Sequence, residues 1–372
     1  DSIERLMADR YADMTDRAAA QREPGGFGRE TWRAFADLGL LAIPFAERHG
    51  GLERGAVETM LVCESIGRAL ALEPYLATVV LGGGILRYGG TEAQQSALIP
   101  QIVSGALTLA LAHSERQSRY DLADVATTAR RLPDGGWSIE GEKSVAIHGD
   151  SADKLIVSAR VAGNRRDTGG IGLFLVDAKA DGLTRRGYAT QDGLRAADVT
   201  LAGVRAAPDD AIGTPGDGWP ILARVVDDGI AALTAEAVGA MAALHALTVD
   251  YLKTRTQFGV PIGSFQVLQH RAVDMFAYLE QARSMALFAT MMAAEPDPAE
   301  RRKAMSAAKV QIGRSARFIG EQATQLHGGI GMTMEYKGGH YYKRLIVIDL
   351  MFGDADHHLR TLAQTGGLEN RE

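Results

Sequence analysis

The sequence holds 372 residues, 46% of them hydrophobic and 23% charged, a balance that suits a folded globular chain and excludes collagen-like and disordered classes. With 40 Lys and Arg against 46 Asp and Glu the net charge is -6, so no overall basic field draws nucleic acid or anionic lipid. Cys63 is the only cysteine, which excludes an intramolecular disulfide and a cysteine-based zinc cluster and points to a reducing, cytoplasmic setting.

At roughly 100–200 residues per domain the length predicts two or three domains. Residues 1–22 are charged throughout, and the longest mostly apolar stretch, residues 76–86, is far short of the ~18 residues of a membrane span; neither a signal peptide nor a membrane segment is expected. Residues 1–104 read as an N-terminal helical domain, with Ala-rich periodic runs over 30–41, 57–72 and 93–102. From 105 to 218 the texture changes to short apolar or alternating runs over 107–112, 137–148, 155–161, 171–176 and 199–204, separated by turn signals such as Asp134-Gly135-Gly136. That spacing predicts a small β-sandwich or barrel. Residues 219–372 return to helix, with three segments of about 30 residues over 221–254, 265–294 and 299–327 that suit an antiparallel bundle.

Several features bear on chemistry. The triplet Gly82-Gly83-Gly84 lies in an apolar run without the strand, turn and helix context of a dinucleotide fingerprint, so it reads as close helix packing. His327-Gly328-Gly329 ends a long helix and reads as a C-cap, with contact to a phosphate as the less favoured alternative. The segment RTQFGVPIGSFQ at 255–266 joins two long helices, with Gly259 as the C′ residue, Pro261 as the stop and Ser264 as the next N-cap. An alternative reading of the same segment sets the Arg255 guanidinium beside exposed backbone N–H groups, an arrangement suited to a pyrophosphate. His357 and His358 are adjacent, so on a helix they point about 100° apart and read as a solvated helix end rather than a metal pair. No nucleophile elbow or phosphate-binding P-loop occurs.

RTQFGVPIGSFQ at 255–266 together with QLHGGIGMTMEY at 325–336 resembles the paired signatures of acyl-CoA dehydrogenases. The likeness extends over LGLLAIP at 38–44, GTEAQQ at 90–95, GEK at 141–143 and the stretch from Val204 to Gly213. The resemblance implies a mainly α fold with a central β domain: N-terminal helical domain, small β-barrel or sandwich, C-terminal four-helix bundle. It implies FAD as cofactor and α,β-dehydrogenation of an acyl-CoA thioester to the trans-2-enoyl-CoA, in which a carboxylate takes the α proton while hydride leaves the β carbon for the flavin. Residues matching the family's FAD contacts, largely across a subunit interface, are Arg255, Phe258, Gln266, Gln325, Gly328 and Gly329, with Ser114 from the β domain. The implied partners are an acyl-CoA substrate, electron-transfer flavoprotein or a similar acceptor, and a second copy or a homologous subunit, with neither nucleic acid nor membrane.

The sequence also departs from the family pattern. The family's usual base, the Glu of a Tyr-Glu-Gly-Thr motif, falls on Phe352 of MFGD at 351–354, and the alternative base position early in the first long helix falls on Gly229. Two segments that face the flavin in the family read SERQSRYD at 114–121 and VAI at 145–147. The nearest substitute base is Asp354, two residues on, which keeps the same side only in non-helical chain. Two functional readings follow: a dehydrogenase with Asp354 as base, or a non-catalytic, FAD-clamping subunit of a heteromeric acyl-CoA dehydrogenase. The second draws on a likeness of residues 114–121 and 352–359 to the small-subunit type of pimeloyl-CoA dehydrogenase.

Overall fold

In the computed structural model, which describes residues 2–366, the first third is helical. The elements are α1 (Ser2–Arg10), α2 (Met14–Arg22), α3 (Arg29–Asp37), α4 (Ala56–Ala69), a π-helical stretch (Leu76–Gly82) running into α5 (Gly83–Gly89), and α6 (Glu92–Val103). Thr91 and Gln94 form a reciprocal capping box at the start of α6, which satisfies two otherwise orphaned N–H groups. Eight strands follow: β1 (Leu109–Ala112), β2 (Thr128–Arg131), β3 (Trp137–Ile147), β4 (Lys154–Arg160), β5 (Ile171–Asp177), β6 (Leu183–Ala189), β7 (Arg195–Ala206) and β8 (Ala211–Gly216). The last third holds α7 (Trp219–Thr254), a two-stranded hairpin (Thr256–Gln257 with Val260–Pro261), α8 (Gln266–Met292), α9 (Pro298–His327), α10 (Lys337–Leu350) and α11 (Ala355–Gln364). Secondary structure thus changes along the chain as expected, but compactness groups it differently. Among the described residues, 2–19, 56–71 and 230–366 form one unit, and residues 20–55 and 72–229 form the other.

The second unit is built on a sheet of order β6-β7-β3-β2-β4-β5-β8, with β1 parallel to β4. Residues from β3 and β7 (Ile139, Ala197, Val199) and from β4 and β5 (Leu155, Val157, Phe174) share one buried cluster, so the sheet bends over a common core as a small barrel does. Trp137 and Phe174 meet across it with ring centroids 5.2 Å apart. The glycine triplet packs as expected: a Cβ would strike Leu109 at Gly82, Phe45 at Gly83 and Val225 at Gly84. Thr78, inside the π-helical stretch, accepts from Leu109 N at 3.1 Å and donates to Leu109 O at 3.2 Å, which ties that stretch to β1.

In the first unit α4 and α7 approach closely enough that a Cβ at Gly67 would meet the Glu236 carbonyl and one at Gly239 the Glu64 carbonyl. Glu236 and Arg344, both buried, join α7 to α10 through two bonds of 2.6 and 2.9 Å. Cys63 is buried as a free thiol, and its pKa is pushed well up by burial and the neighbouring Glu236 carboxylate. Helix α7 contains an 18-residue window of mean hydropathy 1.6, long and apolar enough to cross a membrane, which corrects the expectation that no segment reaches that length. Most of that window, 72%, is buried inside the protein, the position of a core helix.

Candidate functional site

The α7–α8 junction is tighter than the sequence suggests. Helix α7 ends at Thr254, and Gln257 pairs with Val260 in a two-residue hairpin whose central residues, Phe258 at φ 55° and Gly259 at φ 81°, both lie in the left-handed region that such turns require. Gly259 is therefore a hairpin residue, not the C′ cap of α7. Ser264 is not the N-cap of α8 either: Phe265 occupies that position without a side-chain cap, while Ser264 Oγ donates to Pro261 O at 2.8 Å. Phe258 is 89% exposed and meets Phe265 edge to face.

The end of α9 lies beside this junction. Arg271 of α8 donates to Gln322 of α9 at 2.8 Å, and the His327 ring sits between Tyr251 and Tyr336, with centroids 4.7 and 4.9 Å away. Gly328 caps α9 at φ 62°, as read from the sequence. Arg255, Gln266, Gln325, Gly328 and Gly329 are all exposed at this end of the bundle. A Cβ built at Gly259, Gly328 or Gly329 meets no chain atom within 4 Å. A guanidinium, two carboxamides, the uncapped N-terminus of a 27-residue helix and open glycine backbone make a donor set that fits a pyrophosphate-containing cofactor.

In the β domain Ser114 is exposed, and its carbonyl accepts from Ser144 N at 2.8 Å, joining residues 114–121 to the 145–147 segment. Val145 is exposed at φ 54°, where β3 bulges between Lys143 and Ala146. Immediately behind lies a polar cluster the sequence reading passed over. Lys143 and Glu115, both buried, are paired at 2.7 Å, and Ser158 and His113 complete the group. Burial brings the Lys143 ammonium down to about 8. The Glu115 carboxyl is raised by burial but lowered more by Lys143, Gln117 and the Ala126 N–H, and lies at about 2. The short Lys143–Glu115 contact makes the charged pair the state that fits. Strand parity could have revealed it: Trp137, Ile139 and Lys143 share the inward face of β3, and a lysine there needs a buried partner.

The α10–α11 corner holds the remaining candidates. Met351 to Asp354 are non-helical, with Phe352 at φ 57° and Gly353 at φ 113°. Asp354 is the N-cap of α11, its Oδ1 accepting from His357 N at 2.8 Å. His358 does not form a solvated helix end: it is 1% exposed, meets Ser306 Oγ at 3.1 Å and donates from Nε2 to Phe352 O at 3.1 Å. Burial and the nearby Lys309 lower its pKa to about 3, so it is neutral. Lys309, fully buried, donates to Ile348 O and Asp349 O and closes the end of α10. Of the other carboxylates near the alternative base position, Asp228 accepts from Tyr88 Oη at 2.6 Å and pairs with Arg87 and Arg224, and Glu236 is committed to Arg344. Among the described residues no group of three or more His, Cys, Asp or Glu could hold a metal ion.

Three family models match the chain: "Acyl-CoA dehydrogenase, N-terminal domain" over residues 1–106, "middle domain" over 110–203 and "C-terminal domain" over 216–366. "Probable acyl-CoA dehydrogenase YngJ" of Bacillus subtilis is 32% identical over 84% of this chain and 83% of its own length. A variant of the Tcur3481–Tcur3483 steroid ACAD superposes with TM-score 0.87 at 29% identity over 98% of this chain and 95% of that one. The ChsE4–ChsE5 complex from Mycobacterium tuberculosis, at 23% identity and TM-score 0.86 over 98% of this chain and 95% of that one, shares the fold.

Proposed function

Because this chain belongs to the acyl-CoA dehydrogenase family, an FAD-binding oxidoreductase family acting on acyl-CoA, we propose that it serves the α,β-dehydrogenation of an acyl-CoA thioester as a subunit that grips FAD and relies on a homologous partner for the α-proton base. One observation carries this reading. The family's base position is a phenylalanine, Phe352, and the nearest carboxylate, Asp354, spends one oxygen on the first turn of α11.

FAD, when bound, supplies the hydride acceptor. The chain's own contribution is binding: Arg255 and the N-terminus of α8 offer positive charge and N–H donors to a pyrophosphate, Gln266 and Gln325 offer directed amides, and Gly328 and Gly329 let the ligand approach the backbone. Phe258 adds an aromatic face. Without a carboxylate at the reacting carbon, proton removal loses the ~10²–10⁴-fold that general base catalysis contributes. Partner association is supported by exposed apolar side chains on α8, including Val273, Phe276, Leu287 and Met291, which follow helical spacing on a solvent-facing stripe. The ChsE4–ChsE5 complex, one chain of which shares the fold, supports a pairing of unlike subunits, and electron-transfer flavoprotein is the proposed acceptor.

The test is the visible spectrum of the purified chain, alone and co-expressed with a homologue that carries the Tyr-Glu-Gly-Thr motif, before and after acyl-CoA. Flavin that bleaches fast only in the co-expressed complex supports this reading. Fast bleaching by the chain alone overturns it. A second reading, Asp354 as the base, draws on its place two residues after Phe352 in non-helical chain with one carboxylate oxygen left by the His357 N bond. Loss of fast bleaching in Asp354→Asn, with flavin retained, would establish it.

A further inference from the structure

The two β-domain segments that the family resemblance sets against flavin, residues 114–121 and 145–147, are joined through one buried point. The Glu115 carboxylate accepts four bonds: from Lys143 Nζ at 2.7 Å and Thr127 N at 3.1 Å on Oε1, and from Ala126 N at 2.8 Å and Gln117 Nε2 at 2.6 Å on Oε2. Lys143, fully buried, uses all three of its protons, on Glu115, on Ser158 Oγ at 3.0 Å and on His113 O at 3.3 Å. No donor or acceptor of the pair is left over. Directly after Lys143 the strand bulges, and the exposed Val145, a β-branched residue in the left-handed region, has its N–H turned toward Asp198 Oδ1 at 3.4 Å. Asp198 is itself held by Arg186 at 2.6 Å, Tyr188 at 3.0 Å and Arg116 at 3.6 Å, and Arg116 is the neighbour of Glu115.

A buried ion pair is a costly way to hold a core together, since a well-packed apolar pair of like volume is often as stable or more so. What an apolar pair cannot do is tether three separate N–H groups of residues 117–127 while gripping β3 at the residue before its bulge. Strain at Val145 survives only where the surroundings over-determine it, and it lies on the exposed side of this lock.

We propose that Lys143 is a positioning residue for FAD: through Glu115 it holds residues 114–127 in register with the 144–147 bulge, so that the two segments present one preformed wall to the flavin. The proposal rests on the family's FAD binding. Preorganisation of this kind raises affinity by removing the ordering cost from the binding step.

The experiment compares the FAD-reconstituted chain with Lys143→Met/Glu115→Gln. This double variant leaves no lone buried charge, and the Gln carbonyl still accepts from one of the two backbone N–H groups, Ala126 or Thr127, while its –NH2 cannot serve the other. The expected result is a folded protein with a modestly lowered melting temperature, since one buried N–H loses its acceptor, with FAD dissociation constant raised about tenfold or more and the bound flavin's absorption and fluorescence shifted toward those of free flavin. Ser158→Ala, which removes one Lys143 acceptor without touching charge, should weaken FAD about two- to fivefold and serves if the double variant does not fold. Folded variants with wild-type affinity and spectrum overturn the positioning role while leaving FAD binding intact. A wild-type chain that takes up no FAD, either alone or co-expressed with the homologous partner, overturns both.

Discussion

The β-domain segment around Glu115 and the bundle end around Arg255 bring together, in opposite ways, the residues proposed to contact FAD. In the wall Lys143 and Glu115 are buried and satisfied within the chain: Lys143 donates to Glu115, Ser158 and His113, and Glu115 accepts from Lys143, Gln117, Ala126 and Thr127. At the bundle end the donors are exposed, and a Cβ at Gly259, Gly328 or Gly329 meets nothing. The first region is complete before any ligand arrives, so its geometry is set by folding. The second leaves its donors open to solvent, and its residues can be changed at little cost to the fold.

That contrast sets the scale of each expected effect. Lys143→Met alone leaves the Glu115 carboxylate buried without its counter-ion, and a loss of about 3–5 kcal/mol is expected; urea unfolding monitored by tryptophan fluorescence checks it. A loss below 1 kcal/mol would break the comparison from the side of the wall.

Acid should come next. His358 is held neutral with its pKa lowered to about 3 from an ordinary ~6.5. A group depressed in the folded state stabilises fully above its unfolded pKa and loses that stability as pH falls toward the folded value. Between pH 6.5 and 5 this one histidine accounts for about 2 kcal/mol, at ~1.4 kcal/mol per pH unit. His113, likewise lowered to about 3 by burial and Lys143, adds a similar amount in the wall. Denaturant midpoints at stepped pH should fall over this range, and His358→Asn should flatten the slope by about half.

Gly353→Ala is expected to cost about 1–3 kcal/mol, because the φ of 113° disfavours any side chain and a Cβ would lie 2.5 Å from His357 Cδ2 and 2.7 Å from His358 Nε2. Thermal melting checks this. Arg255→Ala should have the smallest effect on folding, within about 0.5 kcal/mol, while FAD titration shows roughly tenfold weaker binding, the loss of a charge-assisted contact of ~1.4 kcal/mol. An Arg255→Ala chain that unfolds would show the bundle end to be structural after all.

Much of the fold was legible because hydrophobic periodicity is local. The three long helices start or end within two residues of their expected bounds, and the strands over 137–147, 154–160 and 171–177 appear where apolar alternation placed them. Strands β2, β6 and β8 escaped notice. Their burial is patchy, as in Leu183–Ala189, since residues such as Arg185 and Arg186 leave no apolar run to read. The glycine triplet's packing role and the C-cap at Gly328 were likewise visible, because both depend on backbone demands that few residues other than glycine meet.

The candidate site was legible as a list of residues but not as a geometry. Arg255, Phe258, Gln266, Gln325, Gly328 and Gly329 stood out in two short segments, and the structure gathers them at one end of the bundle. His358 was misread because adjacent histidines near a chain end look solvated, whereas Ser306, 52 residues away, and the Phe352 carbonyl enclose it. Ser264 was misread because a serine before a helix is the usual cap, and here the hairpin moved the helix start one residue on.

The sequence by itself determined the family, the order of helical and β segments and the absence of a carboxylate at Phe352 and Gly229, since each of these is a property of residue identity and short-range spacing. Only the tertiary structure decided that Lys143 meets Glu115 across 28 residues, that Asp354 caps a helix, and that His358 is neutral. The physical reason is common to all three. The charge state and role of a polar side chain depend on which groups surround it once water is excluded, and those groups come from parts of the chain that no local pattern connects.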